Sequence, residues 1–131
     1  MKTAVRYYSK SGRTEKIARA IARGAETDAC SVTQEPALKE KVDILFLGGA
    51  PYANIMAPEL KEYAENLSPD KVGKVILFTT SNWSRRTVIA LKKSLKKKGI
   101  NVSDNSFYAQ AAMIDKRLFD AENFGKEMIL E

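Results

Sequence analysis

The chain has 131 residues, 44% of them apolar and spread along its length, so one folded domain over residues 1–131 is expected rather than a disordered chain. It has no His and one Cys, Cys30, which excludes His-based catalysis, His metal sites, Cys-rich zinc or iron–sulfur sites and an internal disulfide. Basic residues outnumber acidic ones by 22 to 16, and the net charge of +6 suits an anionic partner, either a phosphorylated ligand or a nucleic acid.

The chain opens on a strand-like run, Thr3–Tyr8. Arg6, Lys10 and Arg13 interrupt any signal-peptide pattern, and no apolar run approaches the roughly 20 residues of a membrane span. A cytoplasmic protein without membrane attachment is therefore expected. Ser9-Lys10-Ser11-Gly12-Arg13-Thr14 follows the strand, and Ile17, Ala18, Ile21 and Ala25 then recur at helical spacing. A loop of hydroxyls and glycine between a strand end and a helix start has the makings of an anion site. The first helical turn has N–H groups without partners and a dipole that favours negative charge. Ser9, Ser11 and Thr14 can donate hydroxyl bonds, and Gly12 permits a tight turn. Ordinary N-capping by Ser or Thr accounts for the same residues equally well. The loop is neither a Walker A loop nor a dinucleotide fingerprint, since it lacks the lysine of the first and the glycine spacing of the second.

Residues 29–33 alternate like a short strand, with Cys30 and Val32 on one buried face. Pro36 can open a short helical turn over residues 37–41. Asp43-Ile44-Leu45-Phe46-Leu47 is a continuous apolar run before Gly48-Gly49, the pattern of a central strand buried on both faces. Pro58 starts a helix with Leu60, Tyr63, Ala64 and Leu67 at its spacing. Residues 74–79 form a second buried strand. A helix with Val88, Leu91 and Leu95 inward follows and ends at Gly99. Residues 105–110 are a further strand, and Asp120 caps a final helix with Phe124 and Met128 inward. Strands thus alternate with helices, at most five of each. That order predicts an α/β fold: a three-layer, doubly wound, five-stranded parallel sheet.

Ligands of such sheets bind beyond the carboxyl ends of the strands. Two further loops lie there. One holds Ala50, Pro51, Tyr52, Ala53 and Asn54; the other holds Thr80, Ser81, Asn82 and Trp83. Tyr52 and the single Trp83 can stack on a flat heteroaromatic ligand, or pack on the protein itself. The next helix carries Arg85, Arg86, Lys92, Lys93, Lys96, Lys97 and Lys98 with no acidic residue among them. No aromatics interleave these lysines, which disfavours nucleic acid as the partner.

The segment Ser9-Lys10-Ser11-Gly12-Arg13-Thr14 resembles the flavodoxin phosphate loop, Ser/Thr-x-Ser/Thr-Gly-x-Thr, and residues 7–18 look like a flavodoxin opening throughout. Arg13 stands where that family often has Asn, and either pairs with phosphate or points to solvent. The resemblance implies strand order 2-1-3-4-5 and a short-chain member, with no room for the insertion in the fifth strand. It implies FMN as cofactor, its phosphate on the first loop and its ring between the other two. Gly49-Ala50-Pro51-Tyr52 looks like the family's second loop; residues 79–83 match its third only loosely. The implied function is an electron carrier between redox partner proteins. Because this chain is basic, partners acidic on their docking face are expected. Alternatives are a small FMN-dependent NAD(P)H:quinone or flavin reductase and a flavodoxin fold that no longer binds FMN. A phosphoacceptor receiver domain lacks its acidic cluster here, and a phosphocysteine carrier would have its Cys after the first strand.

Overall fold

In the computed structural model, which describes residues 1–52, 55–81 and 86–130, the element order follows from where the apolar residues fall. Strand β1 (Thr3–Tyr8) leads into helix α1 (Arg13–Gly24), whose buried stripe of Ile17, Ala18, Ile21 and Ala22 faces the sheet. Then come β2 (Ala29–Ser31), β3 (Val42–Gly49), and a small antiparallel hairpin of β4 (Pro51–Tyr52) and β5 (Ile55–Met56). Helix α2 (Pro58–Asn66), β6 (Val72–Ser81), α3 (Arg86–Lys97), β7 (Val102–Gln110) and α4 (Leu118–Leu130) complete it.

Among the described residues five parallel strands pair in the order β2-β1-β3-β6-β7. In chain order of the main-sheet strands this is 2-1-3-4-5, as expected. The pleat divides β3 between two cores. Leu45 and Leu47 join Leu60, Tyr63, Leu91 and Leu95 under α2 and α3. Ile44 and Phe46 join Ile17, Ile21, Phe78 and Met128 under α1 and α4. These are the three layers. Phe124 packs against the second core and lies edge-on to Phe46, ring centroids 6.2 Å apart.

Four expectations need correction. Residues 36–41 form bends rather than a helical turn. Leu38 is the only apolar side chain there packed on the core, too little to offset the cost of nucleating one turn. Cys30 is half-buried, not fully buried. It lies on the three-residue edge strand β2, whose residues are all half-buried, and its thiol reaches the Gln34 side chain at 3.5 Å. The last strand begins at Val102, three residues before residue 105, and its register against β6 shifts between Val75 and Leu77. Asp120 does not cap α4. A 3-10 stretch, Ala111–Arg117, runs straight into that helix, and Asp120 accepts instead from Arg117 Nε at 3.0 Å.

Candidate functional site

The loop after β1 sits at the carboxyl end of the sheet, next to the point where the chain turns from β1 outward to β2 and later back to β3. Gly12 stands at the N-cap of α1 with φ +88°, a left-handed conformation that side chains other than glycine adopt at a cost. A Cβ at Gly12 would meet nothing within 4 Å, so the space beside it is open. Backbone conformation, not crowding, therefore requires the glycine.

Gly12, the N-cap residue, makes no side-chain cap bond to α1. The hydroxyls turn inward on the loop itself. Ser9 Oγ accepts from the Gly12 N–H at 3.0 Å, and Ser11 Oγ accepts from the Arg13 N–H at 3.4 Å. The first helical bond of α1 runs from the Lys16 N–H to the Gly12 carbonyl, 3.1 Å. The N–H groups of Thr14 and Glu15 therefore begin the helix without intrahelical partners. Ser11, Lys10 and Arg13 are exposed, while Thr14 is only 1% exposed.

Two buried hydroxyl contacts fasten the strand ends together. Thr14 Oγ1 and Thr80 Oγ1 are 2.7 Å apart, linking the start of α1 to the end of β6. The Thr79 hydroxyl donates to the Gly49 carbonyl at 2.7 Å, linking β6 to β3. The start of α1 and the ends of β6 and β3 thus meet at one place.

On the other side of the loop, a cavity of about 280 Å³ lies between Arg13 and Lys16 and the 3-10 residues Ala112, Met113, Asp115 and Lys116. Lys16 pairs with Asp115 at 3.3 Å across it. The sequence reading missed this wall. Its residues lack a helical stripe, and Met113 leaves helical geometry (φ −122°, ψ 21°).

The structure brings Ser9, Lys10, Ser11, Gly12, Arg13, Thr14 and Thr80 to one end of the sheet. Ala50, half-buried, and the backbones of Pro51, Tyr52 and Ser81 belong to the elements at that same end. Ala53, Asn54, Asn82, Trp83 and Arg85 lie outside the described residues, as do the side chains of Pro51, Tyr52 and Ser81. Thr79 is the site residue that sequence reasoning left without a role. Its signal was there: hydroxyl residues Thr79-Thr80-Ser81 replace the apolar run as β6 leaves the core.

No family model and no curated protein sequence matches the chain. Solved structures do. The fold superposes on oxidised flavodoxin 1 from Bacillus cereus with TM-score 0.80 and 17% identity, over 98% of both chains. A flavodoxin from the domain Archaea gives TM-score 0.75 and 22% identity, over 98% of this chain and 96% of that one. The chain has the flavodoxin fold. The same fold matches 35% of the Flv1 flavodiiron core from Synechocystis sp. PCC6803, with TM-score 0.75, 17% identity and 98% of this chain covered. Its presence in both settings is a reason to argue function from the site rather than from the flavodoxin fold itself. No helix among the described residues is long and apolar enough to cross a membrane.

Proposed function

We propose that this chain binds FMN through the loop after β1 and carries electrons between redox proteins. The flavin supplies the redox chemistry; the protein supplies binding and electrostatics. The observation that carries this is the entrance to α1. The N-cap residue is a left-handed Gly12 with no capping side chain and with open space beside it. An anion there meets the N–H groups of Thr14 and Glu15, the positive end of the dipole, and the basic Lys10 and Arg13. The site also fits a phosphate in its hydroxyls, since Ser11 is exposed and the Thr14 hydroxyl lies within the same turn. Tyr52 and Trp83, which follow β3 and β6 in the sequence, are the candidates to stack on the ring.

The partner we infer is acidic on its docking face. The outward described residues of α3 are Ile89, Ala90, Lys93, Lys96 and Lys97, a basic face with one large exposed apolar residue, Ile89. The overall charge of +6 has the same sign.

Titration of the purified chain with FMN and with riboflavin, followed by flavin fluorescence, tests the proposal. FMN should bind far more tightly than riboflavin, which lacks the phosphate. Ser11→Ala with Thr14→Ala should weaken FMN by several kcal/mol in total, since each charge-assisted bond contributes roughly 1.5–3 kcal/mol. Equal affinity for FMN and riboflavin would remove the phosphate assignment. Steady NAD(P)H oxidation by the FMN-loaded protein would replace the carrier role with a reductase.

A further inference from the structure

The contact between Thr14 and Thr80 joins residues 66 positions apart, and both side chains are at most 2% exposed. Each hydroxyl has one proton to donate and two lone pairs to accept with. The contact at 2.7 Å uses one of the two protons. Which one it uses matters to an anion at the start of α1. An anion only accepts. Were Thr14 to spend its proton on Thr80, it would turn lone pairs towards the anion and repel it. If Thr80 donates, the Thr14 proton is released to point away from the pair.

We propose that Thr80 is a positioning residue for the phosphate loop. Its hydroxyl donates to Thr14 Oγ1 and so holds the Thr14 proton towards the phosphate of a bound FMN. The inference rests on the FMN proposal above and deepens it, because it assigns a residue of β6 to the phosphate end of the site. The geometry gives the contact a firm base. Next to Thr80, Thr79 donates to the Gly49 carbonyl, so the end of β6 is held against β3 while it reaches α1.

The test compares FMN and riboflavin affinities, by fluorescence titration, for the unmutated chain, Thr80→Val and Thr80→Ser. Thr80→Val keeps the shape and deletes the hydroxyl. It should raise the FMN Kd several-fold, since Thr14 keeps its hydroxyl but loses the donor that orients it, and leave riboflavin within about twofold. Thr80→Ser should restore FMN binding. In a Thr14→Val background, Thr80→Val should cause no further loss. Circular dichroism checks that each variant folds; if Thr80→Val does not, Thr80→Ala takes its place with the same expectations. Loss of FMN and riboflavin affinity in equal measure would mean that Thr80 only supports the fold, and would overturn the assignment. So would unchanged FMN affinity in Thr80→Val while the unmutated chain binds FMN. An unmutated chain that binds no FMN overturns the FMN proposal itself, and this one with it.

Discussion

Tyr63 places its hydroxyl in the core, 1% exposed, with no hydrogen-bond partner among the described residues. Burial pushes its pKa up to about 12, and the nearby positive charge of Arg6 opposes part of that shift. In the unfolded chain the phenol titrates near 10. The folded form thus holds its proton to higher pH than the unfolded form. The associated stability is fully present below about pH 10 and is lost as pH rises towards 12. A two-unit difference amounts to about 2.7 kcal/mol. Urea unfolding between pH 8 and 12 should show this decline, and Tyr63→Phe should remove its share. At neutral pH Tyr63→Phe should be neutral or stabilising, because deleting an unpaired buried hydroxyl relieves a cost of roughly 1–3 kcal/mol. A variant less stable by more than about 1 kcal/mol at pH 7 would show that the hydroxyl has a partner after all. Cys30 shows burial acting on another acid. Partial burial raises its thiol pKa, more than the Arg6 charge lowers it, which suits an inert thiol rather than a nucleophile.

Helices α1 and α4 meet through two glycines. A Cβ on Gly24 would lie 1.8 Å from the Glu122 carbonyl oxygen, and one on Gly125 would lie 2.2 Å from that of Ile21. Both obstacles are backbone, so the helices themselves must separate to admit a methyl group. Alanine gains up to about 1 kcal/mol over glycine in helix propensity, while overpacking a core costs typically 1–3 kcal/mol. The clash should win at Gly125, which lies well inside α4. Gly125→Ala should lower stability by about 1–2 kcal/mol in thermal unfolding. An unchanged or raised Tm would mean that the helices separate without cost. Because the loop after β1 enters α1 at its other end, the same contact helps to fix where that loop stands on the sheet.

For the molecule as a whole, the acidic partner proposed above is argued from charge. Lys92 is committed to Asp104 at 3.1 Å, and Lys98 reaches the carbonyls of Ala64 and Glu65 on α2. Lys93, Lys96 and Lys97 remain on the outward face of α3, one helical stripe with the exposed Ile89. Attraction between such a face and an acidic carrier speeds encounter and weakens with salt. The rate of electron exchange with an acidic redox protein, measured by stopped flow, should therefore fall as salt rises. The triple variant Lys93→Glu, Lys96→Glu, Lys97→Glu should slow it by about tenfold or more at low salt, with the difference largely gone near 0.5 M. An unchanged rate at low salt would place docking on another face.

Hydrophobic periodicity by itself determined the layers of this protein. The continuous run Ile44-Leu45-Phe46-Leu47 could bury both faces only as a central strand, and alternation of strands with helices left a parallel sheet. The tight turn from β1 into α1 was also legible, because Ser9, Ser11, Gly12 and Thr14 are consecutive or nearly so, and local chemistry needs no distant partner. Contacts between remote segments were not legible. Thr14 finds Thr80, Gly24 finds Glu122 and Gly125 finds Ile21 only after the chain has folded back on itself. The 3-10 wall beside the loop and the bends at 36–41 were decided in the same way. Neither segment has the regular apolar stripe that would specify a helix, so each takes the shape that its neighbours impose.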